Sequence, residues 1–514
     1  MPEFGQAAEP PDRFDAGLRL SKRRFASGLT CPKRLWLETH EPNAQELVGQ
    51  QIPTVLLEQG RRCGELARAK WPDGRLVGDG RIAVFDLERA ARETRDLIDA
   101  GARVLFEPVF LRDDAVAIVD VLERLPDGDA WRLVEVKQTT ECREEHVADV
   151  AFQLHVVESC GLVVRAAAVM HLDRDCRFPE LATLFTTTDV TDSARAMLDA
   201  IAPAVHTLSE MLGGAIPDTP IDVACVSPAP CAFKPRCWSG VPEHHVSTLY
   251  MLKKKDAFAH HHAGRMRVVD IELPPAKKKP SATWKIQWRQ QESLQLERRI
   301  VEREPLAAAL ASLAYPIAML DFETVQLAIP VWPGCTPHAQ VPVQFSCHLL
   351  ASPDAEPRHF EWIARGADDP RPRIVEALIA ACRDATTIMA YYSAFEQTCI
   401  KRLAEWVPER EAELMSIHDR IVDLLPIVRD HVYDPAFGGS FSIKKVLPAL
   451  VPTMSYAGLT IAKGDVAAAE LYRIMFAEMP DSEREYVSDA LLEYCRRDTE
   501  AMVELHRALG TMAH

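Results

Sequence analysis

The chain carries the stretch Trp131-Arg-Leu-Val-Glu135-Val-Lys137, in which two charged residues interrupt an apolar run. Successive side chains of a strand point to opposite faces, so Glu135 and Lys137 share one face. A buried charge is costly unless it is paired or bound to a metal. The stretch therefore predicts a strand with a chemical role, and the residues around it indicate which role that is.

Two more strands are predicted just before this stretch. Apolar residues change from a period of 3.6 to a period of 2, which predicts strands at residues 104–110 and 115–122. Asp120 interrupts the second of them. An internal salt bridge would explain the three charges. The functional alternative is that Asp120 and Glu135 hold Mg²⁺ while Lys137 orients or activates the attacking water.

Three cysteines follow in a proline-rich segment, at equal steps of six residues: Cys225, Cys231 and Cys237. Proline excludes helix and central strand, so the thiols are expected on an irregular loop. Three thiolates leave a tetrahedral site one ligand short. Cys31 is the candidate fourth ligand, because it begins a predicted helix whose dipole would stabilise a thiolate. Zinc, an iron-sulfur cluster and simple burial of thiols all remain open at this point.

A second group of acids lies in the last part of the chain. The stretch Met-Leu-Asp321-Phe-Glu323-Thr predicts a buried strand that ends in two carboxylates on one face. Glu396 is predicted where a strand opens into a helix. Tyr494 and Asp498 are four residues apart on a predicted helix, and therefore on one side of it.

The first set of residues resembles the PD-(D/E)XK nucleases of the RecB type, with Gln153 on the helix after the Glu-x-Lys strand. The early Cys-Pro-Lys-Arg-Leu-Trp-Leu and the late cysteines resemble the iron-sulfur branch, which includes the CRISPR-associated and AddB-type nucleases. The resemblance implies that Asp120 and Glu135 bind Mg²⁺ or Mn²⁺. It also implies that Lys137 and Gln153 are catalytic.

The same resemblance implies that Cys31, Cys225, Cys231 and Cys237 hold a [4Fe-4S] cluster. Five residues separate Cys225 from Cys231, whereas the CRISPR members usually have two. Family members often add an upstream acidic or histidine ligand. The candidates for this ligand are Glu65 and, after it, Glu107.

The second group resembles the DnaQ-like (DEDD) 3'-5' exonucleases, whose fold is RNase H-like. Asp321 and Glu323 match the first motif, Glu396 stands where the second motif usually has aspartate, and Asp498 with Tyr494 matches the third. The resemblance implies that the four acids hold two metal ions and that Tyr494 orients the nucleophilic water.

The predicted fold class is α/β, with two mixed-sheet nuclease domains, one restriction-endonuclease-like and one RNase H-like, joined by a mainly helical linker region. The predicted boundaries are residues 1–17 for a disordered N-terminus, 18–240 for the RecB-like nuclease with its iron-sulfur cluster, 241–314 for the basic helical linker region and 315–514 for the DnaQ-like exonuclease.

Charge is unevenly distributed along the chain. The net charge of −16 argues against nonspecific coating of nucleic acid, but residues 251–300 contain 12 Lys and Arg against 5 Asp and Glu. This basic segment is either a solvated surface or a weak nucleic-acid contact through six lysines: Lys253, Lys254, Lys255, Lys277, Lys278 and Lys279. A cytoplasmic protein with reduced thiols, no membrane contact and unknown protein partners is expected.

These observations predict a phosphodiester hydrolase, namely a metal-dependent deoxyribonuclease and 3'-5' exonuclease with two active sites. The expected substrate is DNA, either single-stranded or with free ends, in repair, recombination or defence against foreign DNA. An RNA 3'-5' exonuclease is the second interpretation. A non-catalytic iron-sulfur protein that binds nucleic acid, as a scaffold or a redox sensor, is the third.

Overall fold

The computed structural model describes residues 18–48, 54–78, 86–126, 128 and 130–514. The predicted disordered N-terminus, residues 1–17, lies outside these ranges. The chain divides into two compact units, Met1–Ser239 with Leu327–Ala339 and Gly240–Gln326 with Gln340–His514. Residues 241–314, predicted as a linker region, are therefore grouped with the second unit. In the described ranges, no helix combines the length and the apolar character needed to cross a membrane.

The first unit is built on a mixed sheet. Its helices are Lys22–Thr30 (α1), Pro32–His40 (α2), Gln45–Val48 (α3), Thr54–Arg68 (α4), Leu87–Asp99 (α5), Glu144–Ser159 (α6), Thr191–Leu212 (α7) and Lys234–Cys237 (α8). Its strands are Arg75–Leu76 (β1), Val104–Phe106 (β2), Val109–Leu111 (β3), Val116–Ile118 (β4), Val121–Arg124 (β5), Trp131–Lys137 (β6), Val164–Leu172 (β7) and Phe185–Asp189 (β8).

Six of these strands form one sheet in the order β1-β2-β5-β6-β7-β8, and β3 pairs with β4 separately. The strand predicted at residues 131–137 is confirmed as β6, which is antiparallel to β5 and parallel to β7. Helix α6, which brings Gln153, packs against β6 and β7. The sheet thus places Glu135 and Lys137 next to Gln153.

The two strands predicted before β6 are each broken, and this part of the prediction was wrong. The first is interrupted at Glu107 and Pro108, where Glu107 has a φ of 53° and proline cannot continue the ladder. The second is interrupted at Val119 and Asp120. Asp120 therefore lies in the bend between β4 and β5, beside β6, and not within a strand.

The first two helices of the first unit, α1 and α2, meet at Cys31. The Ser21 hydroxyl accepts a hydrogen bond from the Arg24 N–H at 3.3 Å and caps α1. Cys31 follows the last residue of α1 and precedes Pro32, the first residue of α2, as predicted. Cys31 is thereby placed at a junction between two helices.

The second unit also combines helices with a mixed sheet. Its helices are Lys254–His262 (α9), Ala282–Gln295 (α10), Arg303–Ala311 (α11), Arg371–Cys382 (α12), Ala394–Trp406 (α13), Glu411–His418 (α14), Leu424–His431 (α15), Ile443–Leu450 (α16), Gly464–Phe476 (α17) and Asp481–Ala513 (α18). Its strands are Ile300–Val301 (β9), Ile317–Gln326 (β10), Gln340–Leu350 (β11), Arg358–Ile363 (β12), Thr387–Ala390 (β13), Ile421–Asp423 (β14) and Val432–Tyr433 (β15).

The main sheet of this unit has the order β12-β11-β10-β13-β14. Strands β10, β11 and β12 are antiparallel, while β13 and β14 run parallel to β10. The central strand β10 carries Asp321 and Glu323. The long helix α18 packs on β10 and β11 and carries Tyr494 and Asp498. Acids that are far apart in the sequence are therefore brought to one place.

Two adjacent glycines before α16 differ in how closely they approach the backbone at Thr248. Both have positive φ, 58° at Gly438 and 82° at Gly439. A Cβ atom added to Gly439 would lie 1.9 Å from the carbonyl oxygen of Thr248, whereas one added to Gly438 would meet nothing within 4 Å. Both positions therefore require a left-handed backbone conformation, but only Gly439 lacks space for a side chain.

We expect Gly439→Ala to lower the free energy of unfolding by about 3 kcal/mol, since the backbone must shift to relieve the overlap. The matched control Gly438→Ala should cost about 1 kcal/mol, the cost of a left-handed conformation alone. Urea unfolding of the two variants measures the difference. Equal losses would contradict the close approach to Thr248.

Candidate active sites and metal centre

Glu135 is the centre of a buried polar cluster in the first unit. Its side chain is 1% exposed, and its Oε1 lies 2.8 Å from Lys137 Nζ and 2.5 Å from Lys22 Nζ. Its Oε2 accepts a hydrogen bond from Gln153 Nε2 at 2.7 Å. Lys137 Nζ also contacts Asp149 Oδ2 at 2.6 Å. The structure thus brings the predicted Glu135, Lys137 and Gln153 together.

Asp120 completes this cluster from the bend before β5. Its Oδ2 accepts a hydrogen bond from the Val136 N–H at 2.6 Å. Burial and the nearby Glu135 raise the pKa of Asp120 to about 7. The pKa of Glu135 is lowered, because the attraction of Lys22 and Lys137 outweighs the opposing effect of burial. Asp120 and Glu135 are therefore close enough to influence each other's charge, as a shared cation would require.

Two residues of this cluster were missed by sequence reasoning. Lys22 belongs to the first turn of α1, and Asp149 precedes Gln153 by one helical turn on α6. The spacing of Asp149 and Gln153 was a usable signal, since residues four apart share a helix face. The guessed upstream ligands are paired elsewhere: Glu65 contacts Arg61 and Glu107 contacts Arg68.

The four predicted cysteine ligands line a single cavity. Cys31 reaches it from the junction of α1 and α2, and Cys225, Cys231 and Cys237 reach it from the proline-rich segment. The prediction that all three thiols of this segment lie on an irregular loop was wrong, because Cys225 ends a 3-10 turn and Cys237 ends α8, in which Pro235 is tolerated in the first turn. All four are free thiols. The cavity is also lined by three cations, which would offset the charge of bound thiolates: Lys33, Arg34 and Lys234.

The spacing of these thiols bears on which metal group they fit. A tetrahedral zinc ion with bonds of about 2.3 Å holds its sulfur ligands about 3.8 Å apart. Among the described residues, no three cysteine sulfurs lie within 4.8 Å of one another. In a [4Fe-4S] cluster each thiolate binds a different iron, so the ligands are more widely spaced. Four cysteine thiols are a ligand set that both a zinc ion and a [4Fe-4S] cluster use.

The second unit contains a compact group of acids. Asp321, Glu323 and Asp498 each offer a carboxylate oxygen within 4.8 Å of the others. The first two come from β10 and the third from α18. Carboxylate oxygens are the ligands that Mg²⁺ and Mn²⁺ prefer, so this group fits a divalent cation.

Glu396, in the first turn of α13, adds a fourth acid. Its side chain is buried, and its Oε2 has no hydrogen-bond partner within the part of the chain that the structure describes. After burial and Asp498, the charge of Glu396 is a further cause that raises the pKa values of Asp321 and Glu323. A buried carboxylate oxygen without a partner is costly, and a bound cation would satisfy it.

The neighbours of the acids are mostly hydrogen-bond donors without charge. The Tyr456 hydroxyl donates to Asp498 Oδ1 at 2.5 Å, and the Cys495 thiol donates to Asp321 Oδ2 at 3.6 Å. Lys444 Nζ donates to the Tyr494 hydroxyl at 3.1 Å. Sequence reasoning identified Tyr494 and missed these three donors: Cys495 lies three residues before Asp498 on α18, whereas Tyr456 and Lys444 come from segments with no recognisable spacing to the acids.

Burial and mutual repulsion raise the pKa values of the four acids. Burial, followed by Asp498, raises the pKa of Glu323 to about 8. Burial also raises the pKa of Glu396 to about 8 and shifts those of Asp321 and Asp498 upward. Lys444 opposes this effect at Glu323 and Asp498 but does not cancel it. Without a further cation, the site therefore favours protonated acids.

The predicted nucleic-acid contacts lie on the surface of the second unit. All six lysines, at positions 253–255 and 277–279, are exposed. Nearby on α10, the rings of Trp284 and Trp288 are nearly parallel, at 15°, with centroids 6.4 Å apart. Trp288 is 47% exposed. The tryptophans thus form a surface pair and not part of a buried stripe.

Comparison with known proteins gives a partial match. The family model described as "Domain of unknown function (DUF2779)" matches residues 318–442, a range that contains Asp321, Glu323 and Glu396 and ends before Asp498. The chain is also similar to "Uncharacterized protein MG366 homolog" of Mycoplasma pneumoniae (strain ATCC 29342 / M129 / Subtype 1), with 28% identity over 208 residues, covering 36% of this chain and 31% of that protein. The chain thus spans about a third of that relative. No solved structure matches the chain.

In the absence of divalent cations, we expect the melting temperature to fall between pH 5 and pH 8. Glu323 and Glu396 bind protons more tightly in the folded state, with a pKa of about 8, than in the unfolded state, with a pKa of about 4.3. Stability is therefore lost as the pH rises through this interval. Mn²⁺ should reduce the loss because it replaces the protons.

Glu323→Gln should make the decrease in melting temperature between pH 5 and pH 8 smaller by about 2–4 °C. This is the equivalent of about 1 kcal/mol in a unit of this size. The control is Glu485→Gln, which removes an exposed acid of α18 and should leave the fall unchanged. Calorimetric scans at several pH values in a chelating buffer measure the melting temperatures. The same pH dependence in wild type and both variants would contradict the assignment.

Proposed function

We propose that this protein is a metal-dependent nuclease with two active sites, and that its substrate is DNA. The observation on which the proposal depends is the acid group of the second unit: three half-buried carboxylates within 4.8 Å, with the buried Glu396 nearby and unsatisfied. At neutral pH such a group needs either protons or cations to offset its mutual repulsion. Paired divalent cations held by carboxylates are the usual means of phosphodiester hydrolysis.

The origin of the acids supports a DnaQ-like, RNase H-like interpretation of the second unit. Asp321 and Glu323 come from the central strand β10, Glu396 from the helix after β13, and Asp498 from the last helix. This order is the one that the resemblance implies. The glutamate at the second position adds one methylene to the reach of that ligand.

The residues around the acids support a role in positioning water. Bound Mg²⁺ or Mn²⁺ would lower the pKa of a water molecule and stabilise the negative charge on the phosphate. Asp321, Glu323 and Asp498 would hold the ions, with Glu396 as a further ligand. The Tyr494 hydroxyl, fixed by Lys444 at 3.1 Å, would orient the nucleophilic water. Tyr456 fixes the carboxylate of Asp498.

The polar cluster of the first unit supports a PD-(D/E)XK site of the RecB type. Asp120 and Glu135 would hold the cation, and Gln153 fixes the orientation of Glu135. Lys137 would orient the water and stabilise the phosphate charge, while Asp149 holds its ammonium group. The four thiols of the first unit would bind a [4Fe-4S] cluster with a structural role.

The surface of the second unit favours single-stranded DNA or free ends as substrate. Base stacking on aromatic side chains and contact of lysines with phosphates are typical of single-strand binding. Trp288 and the exposed lysines offer both. A cytoplasmic location belongs to the proposal, because all thirteen cysteines are free and the proposed cluster requires reduced thiols.

Labelled single-stranded DNA, duplex DNA and RNA of one sequence, each with Mg²⁺ or Mn²⁺, test the activity. We expect Asp321→Asn and Glu135→Gln each to reduce cleavage by about 10²-fold or more at the affected site. The double variant should lose cleavage, and Glu485→Gln should retain it. Binding without cleavage would favour the scaffold interpretation, and faster cleavage of RNA would favour an RNA exonuclease.

Iron analysis of protein purified without oxygen tests the cluster. We expect absorbance near 400 nm and about four irons per chain, as four thiolates of such a cluster require. Cys231→Ser should lose most of the iron. The control Cys142→Ser removes a partly buried cysteine outside the cavity and should keep it. Zinc in place of iron would contradict the assignment.

A further inference from the structure

In the first unit, both oxygens of Glu135 already have polar partners. Its Oε1 contacts two ammonium groups, those of Lys22 at 2.5 Å and Lys137 at 2.8 Å. Its Oε2 is taken by Gln153 Nε2 at 2.7 Å. A cation that binds Glu135 Oε1 must therefore displace one of the two ammonium groups.

The three donors differ in how easily they can leave. Gln153 is fully buried, so its amide has no solvent to move into. Lys137 has a second partner, Asp149 Oδ2 at 2.6 Å, which holds it in the cluster. Among the described residues, Lys22 forms its ion pair with Glu135 alone, and its side chain is 36% exposed against 19% for Lys137. Lys22 is thus the ammonium group without a second ion-pair partner among the described residues and with the more open route to water.

The balance of charges in the cluster also indicates that Lys22 is the group that leaves. Asp120, Glu135 and Asp149 supply three negative charges, and Lys22 and Lys137 supply two positive ones. Addition of a divalent cation would make the cluster net positive, which is costly where Glu135 and Gln153 are buried. Departure of Lys22 restores the balance. In the second unit, by contrast, four acids face one lysine, Lys444, so a cation can bind there without displacing another.

We propose that Lys22 is a built-in counter-ion that occupies the cation position of the first site and leaves it when a divalent metal binds. This inference rests on the proposed function of Asp120 and Glu135 as metal ligands. Lys22 is then a positioning residue. It keeps the two acids in place in the metal-free protein, and its departure sets the metal concentration at which the first site becomes occupied.

The test is Mn²⁺ binding by the cluster-loaded full-length protein, in a background with Asp321→Asn and Asp498→Asn to remove the second site. Electron paramagnetic resonance measures free Mn²⁺ in the titration. We expect Lys22→Met, which keeps the length of the stem but removes the charge, to tighten Mn²⁺ binding by about tenfold, as loss of one adjacent positive charge predicts. Lys22→Arg should restore wild-type affinity. Arg23→Met, which removes an exposed positive charge from the same turn, is the control and should change the affinity little.

A second measurement follows the ammonium group itself. Amine-reactive labelling with mass spectrometry should show greater modification of Lys22 in the presence of Mn²⁺, because the freed ammonium group is accessible. Glu135→Gln should remove the effect of Mn²⁺.

The outcomes separate this proposal from the proposed function. Tight Mn²⁺ binding that needs Glu135 but is unchanged or weakened in Lys22→Met would overturn the counter-ion role and leave the nuclease site intact. Failure of the background protein to bind Mn²⁺ at any position that needs Asp120 and Glu135 would overturn both. Unchanged labelling of Lys22 in the presence of bound Mn²⁺ would also contradict its departure.

Discussion

Burial of like charges is the constraint on which the proposed chemistry depends. Two unit charges about 4 Å apart interact by about 4 kcal/mol at an effective dielectric of about 20, and a whole domain is stable by only about 5–15 kcal/mol. The second unit nevertheless gathers Asp321, Glu323 and Asp498 within 4.8 Å. Hydrogen bonds from Tyr456 and Cys495 relieve part of the repulsion, and the remainder requires either protons or cations.

The two units meet this constraint in different ways. In the second unit, four acids face a single lysine, so negative charge is in excess when the acids are ionised. A divalent cation can neutralise this excess. In the first, Lys22 and Lys137 already neutralise Glu135, and a metal has to compete with them. The same reaction can therefore require different metal concentrations at the two sites. This difference follows from the side chains that surround the acids and not from the acids themselves.

Part of this arrangement could be predicted from the sequence. Patterns of apolar residues identified β6 and β10, and local rules identified the helix that begins after Cys31. Motif patterns gave the proposed metal-binding acids of both units but not Asp149, which also belongs to the first cluster. The α/β class followed from the alternation of such elements.

Other features depend on contacts that no local pattern records. Lys22 meets Glu135 across 113 positions, from a run of basic residues in α1 that gives no hint of burial. Asp120 lies in a bend, because Glu107 and Pro108 interrupt the facing strand and the ladder cannot continue past them. Lys444 approaches the acids only once the whole second unit has folded. Such residues are defined by tertiary packing, and the sequence alone does not distinguish them from surface residues.

The most direct test of the account is anomalous X-ray scattering from crystals of the full-length protein grown with Mn²⁺. The account predicts manganese peaks bonded to the carboxylates of Asp321 and Asp498, with Glu323 and Glu396 in the same cluster, and a separate peak at Asp120 and Glu135. Well-ordered crystals with these carboxylates free of manganese, and with their oxygens hydrogen-bonded to one another as shared protons would require, would contradict it.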